Sequence, residues 1–597
     1  MSALREWSPR REVSGGIEVL PGSDPILAKV LYARGLDSPA KLRAFTMAAE
    51  NALGNPFQMA GVNEAVARLR RALSQGERIV VYGDFDVDGV CATALLVSGL
   101  RALGGDVSAY IPDRFSEAYG LNTSALDKLQ RQGAGLVVTV DCGIRSVDEV
   151  THARKLGLDM IITDHHSVPS ELPPAIAIVD PKQPGCRYPF KELAGTGIAY
   201  RLVDALFRVE QRMSRSAHNP LDAKSFLDLV ALATVADMVP LVGENRTLVS
   251  QGLKHMEASA REGIRALMEV SAVKPGDVDS QAIGFRLGPR INAAGRLEHA
   301  NLAYQLLMTA SGEEARGLAS ELDGINQRRK QILGEQVEEA RALLGEEGDR
   351  LVLIVDSPGF HEGIVGLVAS RLAEEFYRPA LVMRRGEQVT RGSARSIEGL
   401  HITHALDSCS DLLLRYGGHA GAAGFSLLTE NLTAFRERLL CYCAENLDRE
   451  TLTRRIPYDA IVSLAEIRED TPVALSAMEP FGVGNPEPAL VTENLTLLSL
   501  SPVGQRGAHL RLRVGDGMRS LPGIAFRQGH LADSLKRNDK VDLLYRPTLN
   551  EWQGQTTLQL LVEDMRAVGT RSGNTDTGHR PTQGAGRAMR RGSETLV

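Results

Sequence analysis

The stretch that decides the fold is VVYGDFDVDGVCATALL, residues 80–96, where an apolar run leads into three aspartates at alternate positions, a glycine and a second apolar run. Carboxylates packed this closely raise one another's pKa and cost free energy, so such a cluster normally persists where a cation neutralises it. Asp84, Asp86 and Asp88 therefore indicate a metal site. For this short turn alone, a solvated acidic loop is the alternative.

The acidic turn resembles the calcium loop of an EF-hand in its first six positions, D-x-D-x-D-G. The last ligand of that loop is missing, because its position holds Leu95 instead of a glutamate. The residues before the turn, Ile79, Val80 and Val81, are β-branched and predict a buried strand. We therefore expect a strand, an acidic turn and a helix, with the turn at the ligand-binding edge of an open α/β sheet.

Composition limits the classes of function. A chain of 597 residues is too long for one core, so we expect about three or four domains. The net charge of -6 means that any nucleic-acid binding depends on local basic surface. The six cysteines form no C-x-x-C pair, which argues against a disulfide framework or structural zinc and fits a reducing cytoplasm.

Changes of pattern along the chain predict its organisation. Short β-branched runs at 79–82, 107–111, 136–140, 160–163 and 176–179 alternate with helical patterns, as in a parallel α/β sheet. Ser311 and Glu314 predict a capping box at the start of a long connecting helix. The predicted segments are an N-terminal extension packing on the catalytic domain (1–60), a catalytic α/β domain (61–310), the connecting helix (311–346), a second α/β domain (347–450), an OB-like β-barrel (451–567) and a disordered tail (568–597).

Further candidate ligands follow other apolar runs. Asp141 comes after VVTV, Asp164, His165 and His166 come after MIIT, and Asp237 interrupts an apolar stretch. The carboxyl ends of parallel strands share one edge, so these side chains can converge there. Each has an ordinary alternative: Asp141 could cap a helix, Asp164 could close a turn, and a histidine is often just a satisfied polar residue. Asp88 could similarly cap a helix that begins at Gly89.

The mixture of ligands indicates the metal and the reaction. Carboxylates with imidazole suit manganese or magnesium better than calcium, and the absence of thiolates argues against structural zinc. The candidates are too many for one ion that also holds water and substrate. Two ions about 3.5–4 Å apart, bridged by a carboxylate, support attack of water on phosphorus.

Several motifs together resemble the DHH phosphoesterase family. They are DFDVDG at 84–89, VDCG at 140–143, DHH at 164–166 and ATVADMVPL at 233–241. GPRINAAGRLEHANLAYQLL at 288–307, HEGIVGLVASRL at 361–372 and GGHAGAAGF at 417–425 make the chain similar to the bacterial single-strand-specific exonucleases of that family, over about residues 30–565. The resemblance implies a parallel-sheet DHH phosphoesterase domain, a long connecting helix, a second α/β DHH-associated domain and a C-terminal OB-like barrel.

The resemblance also implies roles for single residues. By this resemblance, the metal ligands are Asp84, Asp86, Asp88, Asp141, His165 and Asp237. His166 would lie nearer the phosphate. All seven are candidate catalytic residues. Many relatives carry histidine where this chain has Tyr82, so we assign that position no metal role.

Candidate substrate-binding residues rest mainly on the same likeness. His419 lies in a glycine-rich loop whose backbone N–H groups can approach an anion, although a tight turn under a helix is equally consistent. Arg391, Ser393 and Arg395 alternate and can share one face as a phosphate clamp. The remaining candidates, Arg290, Asn292 and Arg296, lie in a second glycine-rich turn, and residues 501–546 hold nine Lys or Arg against four Asp or Glu, a plausible single-strand track.

By resemblance, the expected function is a metal-dependent exonuclease, using Mn2+ or Mg2+, that hydrolyses single-stranded DNA processively from 5′ to 3′ to nucleotides in recombination and repair. We expect a cytoplasmic monomer whose partners are single-stranded DNA, a single-strand-binding protein and a RecQ-type helicase. One alternative is a DHH phosphodiesterase acting on short oligonucleotides or cyclic dinucleotides, which the length of the chain opposes. The other is a non-catalytic replication scaffold, which the intact acidic and histidine set opposes.

Overall fold

The computed structural model describes residues 5–11, 24–46, 53–117, 120–213, 222–259, 261–345, 350–552 and 554–568. The predicted disordered tail falls almost wholly outside these residues. None of the helices described there is long and apolar enough to cross a membrane. The chain divides into two compact units, one of residues 1–459 and 473–488 and the other of residues 460–472 and 489–597.

The strands, numbered in chain order, are β1 (Arg5–Pro9), β2 (Ile79–Tyr82), β3 (Val107–Tyr110), β4 (Leu136–Val140), β5 (Asp159–Thr163), β6 (Ala177–Val179), β7 (Leu353–Ser357), β8 (Ala380–Arg384), β9 (Val389–Arg395), β10 (Leu413–Gly418), β11 (Ala422–Leu428), β12 (Arg454–Tyr458), β13 (Ala460–Ile461), β14 (Leu490–Val503), β15 (His509–Gly515), β16 (Ser520–Ala525), β17 (Lys540–Trp552) and β18 (Gln555–Ala567).

The α-helices span Pro25–Ala33, Pro39–Thr46, Val62–Gln75, Val87–Ala102, Thr123–Arg131, Val147–Lys155, Gly195–Met213, Leu227–Ala236, Gly243–Ser259, Glu262–Val270, Ser280–Ala282, Gly288–Leu297, Asn301–Met308, Gly312–Leu344, Val365–Phe376, Ile402–Asp407, Leu432–Asn446 and Thr471–Ser476. A π-helical turn, Ile283–Leu287, joins two of them.

The first sheet has the strand order β3-β2-β4-β5-β6, and all its pairings are parallel. Its strands are the five predicted from β-branched runs, and the inner strands β2 and β4 are buried on both faces, as a helix-covered parallel sheet requires. From β2 the chain continues to β3 on one side, while β4 lies on the other side. This change of direction opens a crevice at the carboxyl ends of β2 and β4, where ligands bind in open α/β sheets.

The second sheet has the order β10-β11-β9-β8-β7, with β7 and β8 parallel and the other pairs antiparallel. Ala394 on β9 and Phe425 on β11 are buried in its core. Arg391, Ser393 and Arg395 lie at alternate positions of β9, on the opposite face from Ala394. The predicted second α/β domain is therefore confirmed as a mixed sheet.

The long helix Gly312–Leu344 joins the cores of the two sheets. Ala315, Ala319 and Leu322 pack in the first core, whereas Val337 and Ala340 pack in the second. The connector is thus confirmed.

The predicted capping box at the start of this helix forms only in part. The Ser311 hydroxyl accepts a hydrogen bond from the N–H of Glu314 at 3.3 Å. The Ser311 N–H donates instead to the hydroxyl of Thr309 at 3.1 Å, and the Glu314 carboxylate accepts from that same hydroxyl. Thr309 therefore bonds to both groups of the second half of the box, the Ser311 N–H and the Glu314 carboxylate.

The second unit is a β-barrel. Its strands follow the order β14-β15-β16-β18-β17, and β17 pairs back with β14 to close the ring, while β13 adds to β14. Leu497, Leu512, Leu543 and Leu560 are buried. The predicted OB-like barrel is confirmed, but residues 473–488 interrupt it and belong to the first unit.

The N-terminal residues make a contact that the sequence did not predict. β1 pairs in parallel with β12, and the Arg34 guanidinium donates to both oxygens of buried Asp459 at 2.8 and 3.0 Å. The N-terminal extension is therefore tied to the segment that follows the second sheet. The boundaries of the six predicted segments stay predictions.

Candidate metal centre

The candidate ligands lie in the crevice of the first sheet. Asp84 follows β2, Asp141 follows β4 and His165 follows β5, while Asp237 ends the helix Leu227–Ala236. The crevice thus collects side chains from four separate segments. The structure thus shows the predicted convergence of these side chains.

The turn after β2 holds two carboxylates against the next helix. Asp86 is the N-cap of the helix Val87–Ala102 and accepts a hydrogen bond from the Gly89 N–H at 3.0 Å. Asp84 is buried, and within the described residues its Oδ1 makes no hydrogen bond. A Cβ at Gly89 would lie 2.6 Å from the Cα of Asp84, so only glycine permits this close approach.

Asp88 does not cap a helix beginning at Gly89, because that helix begins at Val87. Its carboxylate instead accepts backbone hydrogen bonds from Gly195 at 2.6 Å and Thr196 at 2.8 Å. Both donors belong to the first turn of the helix Gly195–Met213, whose dipole favours a negative charge there. These bonds fix the Asp88 carboxylate, and each oxygen keeps a further lone pair for another partner.

Two residues of the crevice have left-handed backbone conformations. Asp141 has φ 62° and Met238, which follows Asp237, has φ 61°. Such a conformation costs free energy for a residue with a side chain, and it is concentrated at functional sites. Both strained residues adjoin or belong to the candidate ligand set.

His165 lies at the centre of the carboxylates. Its Nε2 is 3.1 Å from Asp141 Oδ1, 3.6 Å from Asp237 Oδ2 and 3.9 Å from Asp88 Oδ2. Among the described residues neither ring nitrogen makes a hydrogen bond of acceptable geometry, and the same holds for the buried Asp237 Oδ2. Buried polar atoms are rarely left in this state without an unseen partner.

The ligand atoms fall into overlapping groups in which every atom lies within 4.8 Å of the others. One group consists of Asp84, Asp86 and Asp141, and another of Asp88, His165 and Asp237. Asp141 also belongs to a third group with both histidines of the DHH motif. This arrangement, in which Asp141 links two sets of ligands, is the one expected for two neighbouring cations.

The pKa values of these side chains also indicate a cation site. Burial and the charge of Asp86 raise the pKa of Asp84 to about 8, and the same two causes raise the pKa of Asp88 to about 6. The pKa values of Asp141 and Asp237 lie well above the ordinary value because of burial and neighbouring carboxylates. Burial and the charge of His166 lower the pKa of His165 to about 3. A divalent cation binds ionised carboxylates and neutral imidazole. It would relieve the repulsion among these carboxylates, and the lowered pKa keeps the His165 ring neutral for binding.

His166 is held differently from His165. Its Nδ1 lies 2.7 Å from Asp164 Oδ1. Burial works to lower the pKa of His166, but the hydrogen bond and charge of Asp164 outweigh burial and raise it. Asp164 also accepts backbone hydrogen bonds from Ile144, His165 and His166 at 2.9, 2.7 and 3.1 Å. Asp164 therefore orients the DHH turn and holds the His166 ring through Nδ1.

His419 brings the second sheet to the same place. Its ring is parallel to that of His166 within 9°, with centroids 5.9 Å apart. Burial and the charge of His166 lower the pKa of His419. The structure thus places this sequence candidate beside the DHH turn.

A group of arginines borders the site. Burial and the guanidinium groups of Arg114, Arg329 and Arg395 lower the pKa of Arg296 to about 9. Arg395 Nη1 donates to the Ser393 hydroxyl at 2.9 Å, and its Nε donates to Ser370 at 3.1 Å. Half-buried guanidinium groups that repel one another form a place for an anion.

Three other sequence candidates are engaged with protein groups. Arg391 pairs with Glu362 at 3.1 Å, and Arg290 pairs with Asp323 at 2.8 Å on the connecting helix. Asn292 Oδ1 accepts from the Val87 N–H at 3.2 Å, which supports the helix after the acidic turn. The ion pair with Asp323 accounts for the position of Arg290 without a substrate, so its substrate-binding role stays a prediction.

Sequence reasoning missed Arg114, Arg329 and Lys182. Arg114 lies in the loop after β3. It could have been found in the same way as Asp84, because ligand-binding side chains follow the carboxyl ends of parallel strands. Lys182 follows β6, and its charge acts on the pKa values of Asp237, His165 and His419. Arg329 lies inside a long helix, where no local pattern marks it. Tyr82, given no metal role, donates its hydroxyl to the Gly120 carbonyl at 3.0 Å.

Family models match three parts of the chain: the DHH family N-terminal domain at residues 78–234, the DHHA1 domain at 349–445 and the RecJ OB domain at 458–564. Among curated proteins, the single-stranded-DNA-specific exonuclease RecJ of Salmonella typhimurium is 38% identical over 93% of this chain and 98% of its own length. The enzyme of the same name from Bacillus subtilis is 36% identical over 90% of this chain and 68% of its own length.

Solved structures agree with these matches. RecJ from Thermus thermophilus in complex with Mn2+ has a TM-score of 0.78 and 32% identity, covering 91% of this chain and 76% of that one. A structure of exonuclease RecJ bound to manganese has a TM-score of 0.57 and 36% identity, covering 66% of this chain and 96% of that one. Identity at this level extends through both sheets and the barrel, and the chain therefore belongs to the RecJ family of the DHH phosphoesterases.

Proposed function

We propose that the protein is a metal-dependent exonuclease that hydrolyses single-stranded DNA processively from 5′ to 3′ to nucleotides, in DNA recombination and repair. The observation that carries this proposal is the pair of linked ligand groups at the crevice between β2 and β4. Relatives that match 90% or more of this chain are named single-stranded-DNA-specific exonucleases. Polarity and processivity come from membership of this family.

The two ligand groups support a division of the ligands between two metal ions. Asp84, Asp86 and Asp141 would hold one Mn2+ or Mg2+, and Asp88, His165 and Asp237 would hold the other, with Asp141 between them. Structural neighbours carry Mn2+ and Mg2+ in their names. When bound, such a pair of ions supplies an activated water and neutralises charge on the scissile phosphate.

The chain's own residues prepare the phosphate for attack. Asp164 holds His166 through Nδ1, so that Nε2 can donate a proton to a phosphate oxygen, and the raised pKa keeps that proton available. The His419 ring lies parallel to this ring with centroids 5.9 Å apart, so it could contact the same phosphate. Asp88, held by two backbone N–H groups, keeps the helix Gly195–Met213 against the ligands.

The arginine group supports selection of the strand end. A terminal phosphate carries more charge than an internal diester, so Arg395, Ser393 and Arg296 can distinguish it by charge-assisted hydrogen bonds, each contributing about 1.5–3 kcal/mol. Arg114 and Arg329 add positive charge at the same place. Of the residues proposed from the sequence as a phosphate clamp, we retain Arg395 and Ser393 in this proposal. Arg391 is instead paired with Glu362.

The barrel supports binding of the single strand. Arg511 and Arg513 alternate along β15 and are both exposed, as a basic track for a single strand requires. A single-strand-binding protein, a RecQ-type helicase, a monomeric state and a cytoplasmic location complete the proposal by analogy with the family.

Degradation of end-labelled substrates tests the proposal. We expect Mn2+-dependent release of nucleotides from 5′-labelled single strands at first, with 3′-labelled strands shortening progressively. Closed single-stranded circles, duplexes and RNA should persist. Preferential hydrolysis of dinucleotides or cyclic dinucleotides would support the short-substrate alternative, and no hydrolysis with either metal would support the scaffold alternative.

A further inference from the structure

Two loops of the second unit lie against each other. They are the loop 504–508 between β14 and β15 and the loop 526–539 between β16 and β17. The Gly529 N–H donates to the Ala508 carbonyl at 3.1 Å. A Cβ at Gly529 would lie 1.7 Å from the Gly507 carbonyl oxygen, so only glycine permits this approach. The two loops therefore form one continuous surface.

An open pocket of about 510 Å3 lies on this surface. Arg506 and Arg527 line it, one from each loop, together with His530. Pro502 and Ala508 also line it and offer apolar contacts. The volume is within the range of sites for small molecules, which is about 300–1,000 Å3. A whole nucleotide can therefore enter the pocket.

The two arginines have strained backbones. Arg506 has φ 53° and Arg527 has φ 58°, in the left-handed region that glycine adopts without cost. The Arg527 N–H donates to Nδ1 of His509 at 3.0 Å, which fixes this backbone. Within the described residues, neither guanidinium group has a hydrogen bond or an ion pair. Strain of this kind is concentrated at functional sites, so arginine at two such positions, without a protein partner, indicates a ligand.

The charges of the pocket favour a phosphate monoester. The two loops hold four Lys or Arg against two Asp, in a chain whose net charge is -6. A carboxylate, Asp533, also lines the pocket and would repel an anion from its own position. A phosphate monoester carries about 1.5–2 negative charges at pH 7, whereas a backbone diester carries about one. Two guanidinium groups that can each bond two phosphate oxygens match the monoester better.

We propose that this pocket binds the phosphate monoester of a nucleotide, with Arg506 and Arg527 as its ligands. The monoester is carried either by a free 5′-nucleotide or by the phosphorylated end of a strand. The site lies on the second unit, whereas the metal centre and the proposed clamp at Arg395 lie on the first. Its occupation does not require hydrolysis.

Isothermal titration calorimetry of the full chain in EDTA tests the proposal. The first probe is deoxyadenosine 5′-monophosphate, and deoxyadenosine is the probe without phosphate. Arg506→Gln and Arg527→Gln should each raise the Kd of the monophosphate about tenfold or more, the effect of a lost charge-assisted hydrogen bond. Asp533→Asn should lower that Kd, because it removes a repelling charge. Deoxyadenosine should bind equally weakly to all four proteins.

Glycine variants separate binding from stability. Arg506→Gly should lose the same affinity but melt at or above the wild-type temperature, because glycine adopts this backbone without strain. A purely structural arginine would instead lower the melting temperature when it is removed. Asn538→Gly is the matched control, since Asn538 has φ 73° in the same loop and carries no charge. It should keep the wild-type Kd.

Short thymidine strands with a 5′-phosphate or a 5′-hydroxyl group distinguish the two sources. Weaker binding of the monophosphate in Arg506→Gln identifies the free nucleotide as a ligand. A loss confined to the 5′-phosphorylated strand identifies the strand end.

The proposal is overturned if both glutamine variants bind the monophosphate and the phosphorylated strand as the wild type does. It is also overturned if they lose equal affinity for the 5′-hydroxyl strand, because the pocket would then bind backbone diesters. Binding alone is measured, so an inactive protein would refute the proposed function and leave this test intact.

Discussion

Asp164 should be the residue whose loss damages both the fold of the DHH turn and its chemistry. Its carboxylate accepts three backbone hydrogen bonds, from Ile144, His165 and His166, and one from the His166 ring. Asp164→Ala leaves the buried N–H groups of Ile144 and His165 without this acceptor. At about 1–3 kcal/mol for each unsatisfied buried donor, we expect a loss of about 2–6 kcal/mol in the free energy of unfolding.

Asp164→Asn should lie between this variant and the wild type. Its carbonyl oxygen can replace one carboxylate oxygen, but its NH2 group then faces an N–H donor, at a cost of about 1–3 kcal/mol. Asp164→Ala releases His166, so its kcat for hydrolysis of a 5′-phosphorylated strand should fall by about 100- to 10,000-fold, the range of general acid–base catalysis.

Calorimetric melting and single-turnover hydrolysis with saturating Mn2+ measure the two effects. His166→Ala is the matched control, because it removes the ring but keeps the backbone bonds of Asp164. It should lose hydrolysis while its stability stays within about 1 kcal/mol of the wild type. The reasoning is refuted if Asp164→Ala melts like His166→Ala, or if it keeps the wild-type kcat.

The remaining predictions concern the ligands, the tail and the strand end. Asp141→Ala or His165→Ala should abolish hydrolysis in a protein that still melts cooperatively, and activity at saturating Mn2+ would contradict their assignment. Truncation after Val568 should keep turnover on short single strands, since residues 569–597 contain little apolar material, and a fall in turnover or melting temperature would show that they are needed. Arg395→Ala should reduce the preference for 5′-phosphorylated over 5′-hydroxyl strands without changing the Mn2+ requirement, whereas equal losses on both ends would count against the clamp. In EDTA, Asp84→Asn should raise the melting temperature more at pH 8 than at pH 5, because a carboxyl whose pKa is raised to about 8 destabilises the fold increasingly as pH rises above its ordinary value of 3.8. An equal effect at both pH values would show that Asp84 is not repelled in the metal-free protein.

The sequence predicted those parts of the fold that short-range patterns encode. The β-branched runs marked the strands of the first sheet because strands buried on both faces need such side chains. Their alternation with helices then placed Asp84, Asp141 and His165 at one edge. Asp237 was found because a lone carboxylate in an apolar run requires a partner.

What the sequence could not show depends on contacts between distant segments. Nothing in the sequence near Asp88 indicates that its carboxylate accepts hydrogen bonds from the N–H groups of Gly195 and Thr196. Those residues are more than a hundred positions away in the chain. The pairing of Arg391 with Glu362 and of Arg290 with Asp323 likewise depends on tertiary packing. The return of residues 473–488 to the first unit breaks the rule that a domain is continuous in sequence.

Two linked ligand groups holding two divalent ions are the basis of the proposed chemistry. Anomalous diffraction at the manganese edge, from crystals of the protein grown with Mn2+, tests it most directly. We expect two peaks about 3.5–4 Å apart, one beside Asp84 and Asp86, the other beside His165 and Asp237, with Asp141 between them. A single peak, or two peaks that leave Asp141 without a bound ion, would contradict it.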